Sequence, residues 1–270
     1  MNTKAIRTVR APLDDIPAQH WQGGPIDCGA CEYAHLRVLD EGSGCEPGYA
    51  CVQDVYARRI DRFFHWHPEL SDAQLAHPYF EVRAIAVRRA SVFRLTALMN
   101  DPDETVRLQV ALRLPQSLLT RLVNDPHREV RIRVAQRLAP QKLAALRHDP
   151  DYGVRELVAQ RLPLPILQTM ANDPERTVRV CVAQRLEMPA LLRMMDDTEP
   201  EVRCKVAQRL PVPLLAPLAR DVDWRVRWEV TQRADAATLE SLLEDEDPEV
   251  RLSAQQHLER DWPLVGEVYD

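Results

Sequence analysis

Four of the chain's six cysteines, Cys28, Cys31, Cys45 and Cys51, fall in one short stretch, "DCGACEYAHLRVLDEGSGCEPGYAC", with the spacing C-x2-C-x13-C-x5-C. Thiolates bind soft and borderline metals. Four of them complete either a tetrahedral zinc site or the ligand set of an iron–sulfur cluster. Cys28-x-x-Cys31 is a tight chelating loop for both. The second pair is separated by five residues rather than the two of a zinc ribbon, and no strand pattern supports zinc knuckles. Six of the eight glycines, Gly23, Gly24, Gly29, Gly42, Gly44 and Gly48, surround the cysteines. Glycine lets backbone N–H groups approach sulfur, and hydrogen bonds of that kind tune the potential of a cluster. A catalytic dithiol is the third reading, although four thiols exceed what it needs.

The remaining candidate ligands carry less. His20 and His35 flank the cysteines and stand as reserve ligands. His65 and His67, in "FFHWHPE", point in different directions if helical, so they read as helix-end or junction residues. Cys181 and Cys204 occupy different helical faces and read as ordinary small residues. The chain shows no Ser/His/Asp arrangement, no phosphate-cradling glycine loop and no paired carboxylates apart from regularly spaced aspartates. Catalysis is therefore not expected.

Composition sets the surroundings. A net charge of -6 over 270 residues excludes a broad field for nucleic acid or anionic membrane. The N-terminus lacks the apolar core of a secretion signal, and no apolar run is long enough to span a bilayer. The expected compartment is the cytoplasm, where thiols stay reduced, and this favours metal over disulfides.

From residue 77 to 268 the sequence repeats with a period of 24, in units opening at His77, Asp101, Asp125, Asp149, Asp173, Asp197, Asp221 and Asp245. The shared pattern is D-P-x-x-x-V-R-x-x-V-A-Q-R-L, a proline-prone linker, and L-x-x-L. Position 6 is valine in every unit, position 10 is valine in six, and position 14 is usually leucine. These positions make one stripe of an α-helix. Asp-Pro reads as the helix start, and Pro115, Pro163 and Pro211 as its end. The L-x-x-L remainder has room for one α-turn or 3₁₀ turn. A single unit leaves its stripe uncovered, so units must stack into a solenoid. The last unit has lost the second-half leucines. The stretch before the first looks like a degenerate, capping repeat, with Val52, Tyr56, Ile60, Phe63 and Phe64 on one helical face.

Arginine occupies position 7 in all eight units, from Arg83 to Arg251, and position 13 in seven, from Arg89 to Arg233. A spiral of guanidinium groups suits a phosphate backbone. It also suits pairing with the aspartates that recur almost one for one. Residues 77–270 carry 28 Lys and Arg against 30 Asp and Glu, which favours the structural account. Position 8, apolar at Leu108, Ile132, Val180, Cys204, Trp228 and Leu252, is read as packing against a neighbouring helix, ahead of a partner-binding face.

The cysteine segment followed by these units resembles the leucine-rich repeat variant (LRV) proteins with an iron–sulfur domain, across essentially the whole chain. The resemblance implies a [4Fe–4S] cluster on Cys28, Cys31, Cys45 and Cys51, and a right-handed superhelix of alternating α- and 3₁₀-helices. It also implies an association with nitrogen-fixation gene regions. The expected organisation is an all-α chain: an iron–sulfur domain at 1–52, a capping helix and junction at 53–76, and an eight-repeat solenoid at 77–270. The expected function is non-enzymatic: the repeats bind a macromolecular partner, a protein, while the cluster senses redox state or transfers electrons. The alternatives are a zinc-stabilised interaction scaffold and a redox-gated nucleic-acid binder.

Overall fold

A computed structural model describes residues 16–38 and 44–261; Gly42 and the end of the eighth unit lie outside these. The chain forms two compact units, residues 1–138 and 139–270. Among the described residues there is no strand, only the isolated bridges His20–Asp54 and Glu46–Ala50. No helix among them is long and apolar enough to cross a membrane.

Each repeat is one α-helix followed by a short helical turn. In the first unit the helices are Phe80–Val87, Glu104–Arg113 and Arg128–Arg137. In the second they are Tyr152–Arg161, Arg176–Arg185, Pro200–Arg209, Trp224–Thr231 and Pro248–Asp261. Within each unit, successive helices pack side by side. The valines at positions 6 and 10 and the position 14 leucines from Leu114 to Leu210 are buried, as are leucine and methionine pairs of the turns such as Leu119/Leu122 and Leu167/Met170. Each fully buried valine or leucine side chain contributes about 1.5–3 kcal/mol, which only a stacked neighbour makes available.

The aspartate that opens each repeat does a different job from the one its position suggests. Every helix starts at position 4, so the N-cap is position 3; Asp103, Asp151 and Asp223 fill it and accept from N–H groups of the first turn. The position 1 aspartate instead folds the turn before the helix: Asp125 Oδ1 accepts from His127 N at 2.9 Å, and Asp173 Oδ1 from Glu175 N at 2.9 Å. The helix ends just before Pro115, Pro163 and Pro211, as expected, and ends at the same position where that proline is missing. The position 14 leucine leaves helical geometry with ψ near 140° whether proline follows, as at Leu114 and Leu162, or not, as at Leu138 and Leu186. A proline at position 15 is therefore not required for this end.

The arginine ladder is structural. Arg107 Nε and Nη2 donate to Asp125 at 2.8 and 3.1 Å, and its Nη1 donates to the carbonyls of Asp101 and Pro102. Arg83–Asp101, Arg155–Asp173, Arg179–Asp197, Arg203–Asp221 and Arg227–Asp245 repeat the two-pronged pairing. Position 13 arginines donate to carbonyls left open at the preceding helix end: Arg137 to Ala111, Arg185 to Ala159 and Arg209 to Ala183. Position 8 is half-buried from Leu108 to Cys204, consistent with packing, and opens to 37% and 50% exposure at Trp228 and Leu252.

Ahead of the first repeat, helix Ala57–Trp66 and the 3₁₀ segment Pro68–Ala76 reproduce the repeat's two halves. Ile60, Phe63 and Phe64 form the core of this cap with Val82 and Ile85. Val52 and Tyr56 lie before the helix rather than on it, because Asp54 Oδ1 accepts from Tyr56 N and holds residues 54–56 in a turn. Arg59, 18 positions ahead of His77, pairs with buried Asp54 at 3.1 Å. With that arginine engaged elsewhere, the first repeat opens on histidine. His77 Nδ1 takes the turn-forming role, accepting from Tyr79 N at 3.0 Å.

Candidate metal centre

The segment that carries the cysteines is held by turns and by its contact with the cap. Gly23 and Gly24 adopt φ of 94° and 79°, and Gly48 has φ of 78°, conformations that side chains resist. Asp27 Oδ1 accepts from the N–H groups of Gly29 and Ala30 at 2.8 and 3.3 Å, which folds Cys28–Cys31 into a closed turn. The Cys31 carbonyl accepts from Ala34 N at 3.0 Å as the 3₁₀ helix Ala34–Val38 begins. Cys51 N donates to the Arg59 carbonyl at 3.1 Å, tying the fourth cysteine to the capping helix.

The four thiols form one electrostatic group. Cys28 raises the pKa of Cys31, Cys45 and Cys51, and Cys45 is raised further by Cys31. Burial is the larger cause: it pushes Cys45 up to about 11 and Cys51 up to about 12. Cys51 is buried, whereas Cys28, Cys31 and Cys45 are partly exposed, and all six cysteines are free thiols. Backbone donors reach the sulfurs. Tyr33 N donates to Cys31 Sγ at 3.4 Å, and the Gln53 N–H acts on Cys51. Cys45 Sγ lies 3.6 Å from the Tyr33 carbonyl. Among the described residues, no three His, Cys, Asp or Glu side chains converge on a single ion position.

This donor set has the chemistry a cluster needs. Four reduced thiols share one neighbourhood, backbone N–H groups face two of the sulfurs, and Cys31 and Cys45 pack against the apolar core of the cap. The reserve ligands are committed elsewhere or stand apart. His20 Nδ1 accepts from Gln22 N, and His35 is exposed beside the Glu32 carbonyl. His65 is exposed; His67 is buried at the helix end with Nδ1 3.4 Å from Glu69, so both are junction residues. Cys181 and Cys204 lie on repeat helices, each raised by burial and then by a glutamate, Glu156 and Glu229 respectively.

Several supporting residues give no signal in the sequence. Trp21 stacks on Tyr79 at 5.8 Å and meets His77 edge-on at 5.3 Å, seating the cysteine segment on the first repeat. An open cavity of about 500 Å³ beside Cys31 is lined by His20, Asp27, Glu32 and Gln53. Asp27, placed directly before the C-x-x-C loop, was readable as a turn former. Tyr33 and Gln74 meet across 41 positions, a separation that no local pattern announces.

Comparison with known proteins fits this description. Residues 18–73 match the family model described as LRV protein FeS4 cluster, and residues 80–103 and 104–127 match the leucine rich repeat variant model. A solved structure described as a leucine-rich repeat variant with a novel repetitive structural motif is 44% identical; the alignment covers 86% of this chain and 98% of that one, with a TM-score of 0.80. An uncharacterised 27.7 kDa protein of the nifB 3′ region of Rhodobacter capsulatus is 48% identical over 104 residues. That match spans 38% of this chain and 39% of the relative's length.

Proposed function

The chain belongs to the leucine-rich repeat variant family, and from that membership we propose that Cys28, Cys31, Cys45 and Cys51 are the ligands of a [4Fe–4S] cluster mounted on a repeat scaffold that binds a protein partner. The observation that carries the reading is the set of four free cysteines inside the segment matched by the iron–sulfur family model. Bound there, such a group supplies one-electron chemistry, and with four protein ligands it offers no open iron to a substrate. The protein is accordingly a non-enzymatic redox sensor or electron carrier of the cytoplasm. Its parts are a cluster domain at 1–52, a cap at 53–76 and a repeat array at 77–270. The nifB-region relative supports a nitrogen-fixation context.

The chain's own residues divide the work. Asp27 and the glycine turns shape the first chelating loop, the Tyr33 and Gln53 N–H groups point at sulfur, and the Arg59 carbonyl fixes Cys51. A phosphate-reading role for the position 7 arginines is disfavoured, because Arg107 and its counterparts already spend their donors on aspartate and carbonyl oxygens.

Anaerobically purified protein should contain about four irons and four sulfides per chain and show a broad brown absorbance. Cys45→Ser should abolish that absorbance. Full iron content in the variant would remove Cys45 from the ligand set. One zinc and no colour in the wild type would replace the cluster by a structural zinc site.

A further inference from the structure

Tyr33 touches two of the four cysteines and the cap at once. Its N–H donates to Cys31 Sγ at 3.4 Å, and its carbonyl oxygen lies 3.6 Å from Cys45 Sγ. Its ring is buried against Phe63 of the capping helix, with centroids 5.4 Å apart. Its hydroxyl accepts from Gln74 Nε2, a buried amide on the 3₁₀ segment Pro68–Ala76 that also reaches Glu32 at 3.4 Å. Three residues after Gln74 the first repeat opens at His77. The backbone of residue 33 is thus pinned at one end by sulfur and at the other by the cap.

We propose that Tyr33 is the positioning residue of the cysteine site and Gln74 its anchor, so that the cap of the repeat array sets the arrangement of Cys31 and Cys45. The inference rests on the reading that these cysteines hold a cluster. A buried amide is retained only where its hydrogen bonds are made, and here its partners are Tyr33 and Glu32, beside two of the ligands. By reciprocity, whatever shifts Gln74 from the side of the repeats shifts the redox equilibrium of the site, and a change at the site is felt at Gln74. The Tyr33 N–H favours the more negative, reduced form by donating to sulfur, so loosening residue 33 moves the midpoint potential to more negative values.

The test uses the full chain, purified without oxygen, as Y33F, Q74L, the double variant, and L70A as a control. Leu70 packs on the same core from the same segment but makes no bond to Tyr33. The readouts are iron per chain, midpoint potential and the electron paramagnetic resonance spectrum of the reduced protein. Y33F and Q74L should retain iron and shift the potential in the same negative direction. The double variant should shift no further than the larger single one, because both remove one shared bond. L70A should lower the melting temperature without moving the potential. Loss of iron from Q74L with retention in L70A supports the same assignment, since Gln74 bonds to no cysteine. Wild-type protein without iron overturns both this inference and the cluster reading. Iron-loaded protein whose potential and spectrum ignore Y33F and Q74L, or whose two shifts simply add, overturns this inference alone.

Discussion

Arg107 leaves little room for substitution at its position. Nε and Nη2 bind one carboxylate, Nη1 binds two carbonyls, and both partners of the pair are nearly buried. Arg107→Ala strands the Asp125 charge, and an uncompensated buried charge costs about 3–5 kcal/mol. Chemical denaturation should show a loss of that order. Arg107→Lys should recover only part of it, because an ammonium cannot make the forked bond. His77 gives a pH signature at the same scale. Burial holds its imidazole below the usual 6.5, so the folded chain prefers the neutral ring that accepts from Tyr79 N. The unfolded chain then binds more protons once pH falls below 6.5. This contribution is complete above that pH and is lost on acidification through the lowered folded value. Melting temperature should fall between pH 7.5 and 5.5 in the wild type, and His77→Asn, which keeps an acceptor but does not titrate, should remove that part of the slope.

The helix of each repeat was legible because its stripe is periodic: Val106, Val110 and Leu114 recur at fixed offsets, and all three are buried as their spacing requires. Its start was less legible than its end, for a physical reason. Asp is a strong local signal for a helix start, yet here a tertiary partner claims its carboxylate. The opening aspartate is recruited by the arginine of the repeat before it, and the helix ends at the same leucine with or without a following proline. Pro115→Ala should therefore change stability by no more than about 1 kcal/mol, whereas Leu114→Ala should cost about 2–5 kcal/mol. Equal effects in a denaturant titration would return the stop signal to the proline. At the cysteine segment the spacing singled out the four candidate ligands, Cys28, Cys31, Cys45 and Cys51. Their supports, Trp21 on Tyr79 and Tyr33 on Gln74, could not be read there, because each joins residues more than forty positions apart.

Across the whole molecule, charge is abundant but spent internally. A chain of net charge -6, whose most regular arginines are neutralised in place, is poorly equipped to release counterions from a nucleic-acid backbone. Duplex DNA should show no binding at physiological salt, and a steep loss of measurable affinity as salt rises would contradict this. The same pairing also has a consequence for how such an array changes length. In each pair the arginine reaches an aspartate 18 positions ahead, so a unit carries one half of the joint to its successor and one half of the joint to its predecessor. A duplicated stretch of 24 residues arrives with both halves already matched, and its neighbours need no second change. A stretch one residue shorter or longer meets its neighbours with every valine turned off the stripe and an acid out of reach. Duplication and deletion of whole units are thus the steps by which this architecture can be edited without first being broken.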